Sequence, residues 1–137
     1  MCVGSDRLHV NMCVPALCTL ALPALVSRSL VALPTGVDME VLHCKPPAPS
    51  KHPPLLFVHG TFHGAWCWEQ HWMERFAAAG LESHAVSLRG TSGSPCDAKS
   101  VKISEHVADL RAFVDEHLNG RPPILVGHSF GGASCLK

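Results

Sequence analysis

The sequence has no net charge: across its 137 residues, eleven basic side chains balance eleven acidic ones. That balance argues against a nucleic-acid-binding surface and against a polybasic membrane face. There is no C-x-x-C pair among its seven cysteines, Cys2, Cys13, Cys18, Cys44, Cys67, Cys96 and Cys135. An odd, scattered set reads as reduced, mostly buried thiols rather than as a zinc motif or a disulfide framework. Nor do the ten histidines show a clean metal-ligand spacing. Neither a metal nor a cofactor is expected. The one long apolar run, from Met12 to Val26, is too short to span a bilayer and is interrupted by Pro15 and Pro23. The glycine-rich stretch Gly90 to Pro95 lacks the Lys-Ser/Thr ending of a phosphate loop and does not fit G-x-G-x-x-G. What is present, 47% hydrophobic and 16% charged residues, fits at most one ordinary soluble domain.

Residues 1–28 differ from the rest and are read as an N-terminal extension. Asp6 is the only acid before residue 38, against Arg7 and Arg28. Scarcity of acids suits an organelle transit segment, such as a plastid one, although serines are few and an Arg-rich face is missing. A secretory signal, a plain extension and a misassigned start fit as well. Residues 29–137 are read as part of a folded domain. Ser29–Leu33 and Val37–Cys44 are β-rich and are separated by Pro34-Thr35-Gly36, which predicts a hairpin. The five prolines between Lys45 and Pro54 predict a surface connection.

Strands and helices then alternate. Leu55–Val58 is a continuous apolar run of strand length. Trp68, Trp72, Phe76 and Ala79 fall on one helical face, with Gly80 where a helix ends. Ala85–Leu88 predicts a second strand. Ile103, Val107, Leu110, Val114 and Leu118 form the strongest helical stripe, and Glu105, Asp109, Arg111, Asp115 and Glu116 read as solvated charge on its other faces. Asn119-Gly120 ends that helix, and Ile124–Val126 predicts a third buried strand. This order places the chain in the α/β class, with a mostly parallel sheet covered by helices on both faces.

Gly127-His128-Ser129-Phe130-Gly131 matches G-x-S-x-G, with a strand directly before it and a helix-competent Gly131–Ser134 after it. A sharp strand–turn–helix is what a nucleophile elbow requires. Phe57-Val58-His59-Gly60-Thr61 puts a His-Gly pair just past the first parallel strand. A loop there can aim a backbone N–H at the point the elbow faces. Two converging N–H groups stabilise an oxyanion, and losing one costs on the order of 3–4 kcal/mol of barrier.

LLFVHGTFHGAWCW (Leu55–Trp68), SLRGTSGS (Ser87–Ser94) and ILVGHSFGGAS (Ile124–Ser134) together resemble the N-terminal half of an α/β-hydrolase-fold protein. The likeness extends over roughly residues 29–137. The HGAWCW segment is similar to plant and bacterial members that include carboxylesterases, methyl esterases and hydroxynitrile lyases. The resemblance implies Ser129 as nucleophile and the backbone N–H groups of Phe130 and Thr61 as the oxyanion hole. It implies a small-molecule, ester-like substrate. It assigns no catalytic role to His128 or His59. Many relatives read Leu-Arg-Gly-His-Gly where this sequence has Leu88-Arg89-Gly90-Thr91-Ser92-Gly93, a loop that edges the site.

The family order is serine, then acid, then histidine. Eight residues follow Ser129 here, and none is an acid or a histidine. On this reading the domain is a partial α/β-hydrolase fold, truncated after the elbow. Its edge strand would be apolar and open, a template for aggregation. Two functions follow from the residues. One is a serine hydrolase fragment that acts on an ester when full-length, with lyase chemistry at the same site as a variant. The other is a non-catalytic product that keeps the elbow as a binding or regulatory module. Oligomeric state leaves no trace in the sequence.

Overall fold

The computed structural model describes residues 25–137. The expected targeting segment therefore lies outside the described residues, except for its last four positions. Five strands form one sheet: β1 (Val26–Ala32), β2 (Asp38–Cys44), β3 (Leu55–Val58), β4 (Ser83–Val86) and β5 (Ile124–Gly127), in the order β1-β2-β4-β3-β5. β1 and β2 make the expected antiparallel hairpin, closed by Gly36 at φ +80. β1 begins three residues earlier than alternation suggests, because Val26, Ser27 and Arg28 still pair with Cys44, His43 and Leu42. β2 runs antiparallel to β4, and β4, β3 and β5 are parallel.

Helices cover both faces, and strand alternation divides the core between them. On one face Leu56 and Val58 of β3 join Met39, Val41 and Val86 and pack under Leu110 and Phe113 of α3 (Ile103–His117). On the other, Leu55 and Phe57 join Leu42, Cys44 and Ala85 under Trp68, Met73 and Ala77. Phe57 anchors that layer, with its ring 4.9 Å from Trp68. Among the described residues, no helix is long and apolar enough to cross a membrane.

Four expectations need correction. The helix after β3 is not continuous. It divides into α1 (Trp66–Trp68) and α2 (Glu74–Ala78), with Gln70 (φ −80, ψ 132) and His71 (φ 68, ψ −29) non-helical between them. The break resets the helical phase. Met73 and Ala77 therefore face the sheet, while Trp72 is half exposed and Ala79 is exposed. Gly80 does end α2: at φ +85 it donates to Ala77 O, and Leu81 N–H donates to Phe76 O, a Schellman closure. β4 starts at Ser83, two residues before the expected run.

β5 is not buried on both faces. It pairs with β3 alone among the described residues, and Ile124 and Leu125 are 49% and 44% exposed.

Asp109 is not solvated. It is fully buried on α3, where Arg89 grips both carboxylate oxygens at 2.6 and 2.8 Å. Arg89 also donates to Thr35 O. The pair ties the loop after β4 to α3 and to the hairpin turn. Removing one partner of a buried pair strands the other charge. Asp109→Ala is therefore expected to cost about 3–5 kcal/mol in urea unfolding. A loss below 1 kcal/mol would show that Arg89 simply turns to solvent.

Candidate active site

Between β4 and β5 the chain crosses over β3, so the strand order changes direction at β3. In open α/β sheets the crevice outside the carboxyl ends of strands at such a switch is where ligands bind. The two loops leaving that crevice are Gly60–Gly64 after β3 and His128–Ser129 after β5. They are the loops that sequence reading marked.

The turn after β5 is closed by glycine. A Cβ on Gly127 would lie 2.6 Å from Gly132 Cα, and one on Gly131 would lie 2.3 Å from Val58 O and 2.5 Å from His59 O. No side chain fits at either position. Ser129 sits between them at φ 53 and ψ −118, in the positive-φ region that non-glycine residues rarely occupy. It is the N-cap of α4 (Phe130–Cys135), yet its hydroxyl caps nothing. Serine at an N-cap ordinarily accepts a bond from the second or third helical N–H. Here no such bond forms, and the residue is exposed.

The β3 loop lies directly against this turn. A Cβ on Gly60 would be 3.1 Å from Ser129 Cβ and 3.2 Å from His128 O. Among the described residues, neither the Thr61 nor the Phe130 N–H enters a backbone hydrogen bond. A cleft of about 450 Å³ opens beside them, lined by Thr61, Phe62, His63, Ser92, His106 and Phe130 among others. Ser129 borders this cleft through Gly60 rather than lining it.

His59 is buried and structural, as the resemblance implied. Its Nδ1–H donates to Gly60 O at 2.7 Å, and its Nε2 accepts the Leu88 N–H at 2.9 Å. Both ring nitrogens are thus committed to backbone, and burial pushes the pKa below the ordinary 6.5. The Thr91 hydroxyl of the divergent LRGTSG loop lies 3.1 Å from the same Nε2 and donates to Leu88 O. The loop closes on itself through Gly90 N–H to Ser94 O, 2.8 Å. His128 is exposed, its ring 6.4 Å from that of His63.

Two buried groups near the cleft were not singled out from sequence. His106 lines it from α3, edge-on to Phe130 at 5.4 Å, with burial lowering its pKa. Its spacing to Asp109 and Phe113 was the available signal. Glu40, on β2, is a buried carboxylate beneath the LRGTSG loop. It accepts from Ser87 Oγ, Gly93 N–H and Arg28. Burial alone would raise its pKa, but these bonds and one from Ser92 reverse that and hold it below the usual carboxylate range. Nothing in the alternation of β2 distinguishes Glu40 from a solvated acid.

Residues 55–137, more than half of the sequence, match the model of the Alpha/beta hydrolase family. The chain belongs to that family. A pheophorbidase of Raphanus sativus is 35% identical over 103 residues, which cover 74% of this chain and 35% of that protein. Methylesterase 10 of Arabidopsis thaliana is 33% identical over 57% of this chain and 28% of its own length. The pFDCC methylesterase MES16 of Arabidopsis thaliana is 39% identical over 61% of this chain and 32% of its own. Among solved structures, the epoxide hydrolase VrEH1 from Vigna radiata superposes with a TM-score of 0.69 at 24% identity. It is covered over 80% of this chain and 32% of its own. At that identity the likeness is one of fold. This family member spans about a third of the length of these relatives.

Two predictions follow from the site's packing. Gly131→Ala is expected to abolish cooperative unfolding or lower its midpoint severely, whereas Gly132→Ala, whose Cβ would meet nothing closer than 3.5 Å, should change stability by less than about 1 kcal/mol. Equal effects would refute the packing described for the elbow. The second concerns acid. His59 and His106 have folded pKa values below 6.5, so the unfolded chain binds their protons first as pH falls. Their contribution is complete above about pH 6.5 and declines below it. The urea midpoint should fall between pH 7.5 and pH 5.5; a flat or rising profile contradicts this assignment.

Proposed function

We propose that this chain carries the nucleophile half of a serine esterase site, with Ser129 as nucleophile and the N–H groups of Phe130 and Thr61 as oxyanion donors. The observation that carries the reading is Ser129 itself: an N-cap serine at positive φ whose hydroxyl is withheld from the helix. Attack of Oγ on an ester carbonyl, its proton passing to a general base, forms a tetrahedral oxyanion. Collapse breaks the ester C–O bond, releases the alcohol with that proton and leaves an acyl-enzyme, which water hydrolyses to the carboxylic acid and free serine. Paired N–H donors serve a developing carbonyl oxyanion. The methylesterase names of the 33% and 39% identical relatives therefore bear on the substrate, while the epoxide hydrolase structures bear on the fold. A small carboxylic ester, such as a methyl ester, is the substrate class this supports.

The mechanism also needs a general base and an acid to orient it. The segment from Phe130 to Lys137 contains neither. His59 is committed to backbone on both nitrogens, and Asp109 to Arg89. A second reading, in which the elbow binds a small ligand without turning it over, rests on His59 and Asp109 both being engaged elsewhere. A fluorophosphonate probe separates the two. Rapid labelling that disappears in Ser129→Ala is expected wherever an acid and a histidine complete the triad. Labelling no faster than that of Ser129→Ala would contradict the esterase reading and support the binding one.

A further inference from the structure

Far from the elbow, at the amino end of β4, three potential ligands meet. His43 of β2 and His84 of β4 are register partners, and their rings stack 4.2 Å apart with planes 10° from parallel. Glu82, just before β4, presents Oε1 to both: 2.9 Å from His43 Nε2 and 3.6 Å from His84 Nε2. The three ligand atoms lie within 4.8 Å of one another. His84 is 7% exposed, and its buried Nε2 has no hydrogen-bond partner among the described residues. An unpaired buried nitrogen is costly unless something occupies it.

We propose that His43, Glu82 and His84 form a site for a divalent transition-metal ion of the zinc type, which clamps the β1–β2 hairpin to the parallel part of the sheet.

The distances favour an ion over a proton at His84. Bonds of about 2.0–2.1 Å around a tetrahedral ion set neighbouring ligand atoms roughly 3.3–3.4 Å apart. His84 Nε2 to Oε1 is too long for a hydrogen bond but close to that edge; the His43 contact needs to lengthen by a few tenths of an ångström, and the two stacked rings must turn so that both Nε2 lone pairs converge on the ion. Two imidazoles and one carboxylate are a donor set that suits zinc, cobalt or nickel. Arg121 takes the other Glu82 oxygen at 2.9 Å, which fixes the carboxylate with Oε1 toward the histidines. A cleft of about 330 Å³ opens on the cluster, with His117 and Lys45 also at its wall. It has room for a water as fourth ligand. The positive charges of Arg121 and Lys45 oppose the ion, so affinity should fall below that of a four-ligand structural site.

The test is calorimetric titration of the chelator-treated chain with zinc, alongside visible and near-ultraviolet spectra with cobalt. One zinc per chain is expected, with a rise in thermal midpoint. His43→Gln and Glu82→Gln, both at partly exposed positions, should each weaken binding at least about tenfold and remove the thermal shift. The cobalt spectrum should show visible bands without a thiolate charge-transfer band. Zinc binding unaffected by both variants, no binding at all, or a thiolate band in the cobalt spectrum would each overturn the proposal. The spectrum does so even if a variant fails to fold.

Discussion

Gly131 rests its bare Cα against the carbonyl oxygens of Val58 and His59, where an added Cβ would come within 2.3 and 2.5 Å. This backbone-on-backbone contact seats the start of α4 on the end of β3. It leaves the chain only Gly127 to Phe130 in which to turn from strand to helix. Ser129 therefore accepts a positive φ, and its hydroxyl gives up the cap it would otherwise make. The same closeness brings Gly60 to within contact of Ser129. Strain at one residue, of order 1–3 kcal/mol, is held by a turn that admits no alternative path.

The loops at this end of the sheet are pinned by buried polar groups rather than by apolar packing. His59 joins the loops after β3 and β4. Arg89 and Asp109 join the second of these to α3 and to the hairpin turn. Glu40 gathers Ser87, Gly93 and Arg28 beneath it. Buried ion pairs add little net stability, because desolvation offsets their attraction. Their effect here is to fix loop positions, which a hydrophobic contact of the same area would leave free to slide.

Most of the architecture was legible in the residues. Apolar runs located β3 and β5, Pro34-Thr35-Gly36 the hairpin, Gly80 and Asn119-Gly120 the helix ends, and Gly127-x-Ser129-x-Gly131 the sharp turn. What escaped depends on partners distant in sequence. Helical periodicity cannot register the break at Gln70-His71, on either side of which Trp68 and Met73 both pack with Phe57 on the sheet. Asp109 looks solvated on a helical wheel until Arg89 arrives from another loop. Apolar Ile124 and Leu125 look buried until their strand is seen to pair on one side. His43 and His84 are far apart in sequence and carry no spacing signal, because the sheet alone makes them neighbours.

Whether Ser129 bears strain or merely begins a helix is decided by its replacement with glycine. Glycine takes positive φ without cost, so relief of strain should outweigh the extra entropy of the unfolded chain. Equilibrium urea unfolding of Ser129→Gly is expected to show a gain of about 1 kcal/mol over the unsubstituted chain. A loss of stability would mean that the serine hydroxyl caps α4 as an ordinary helix start, and the account of a hydroxyl freed for attack would fail.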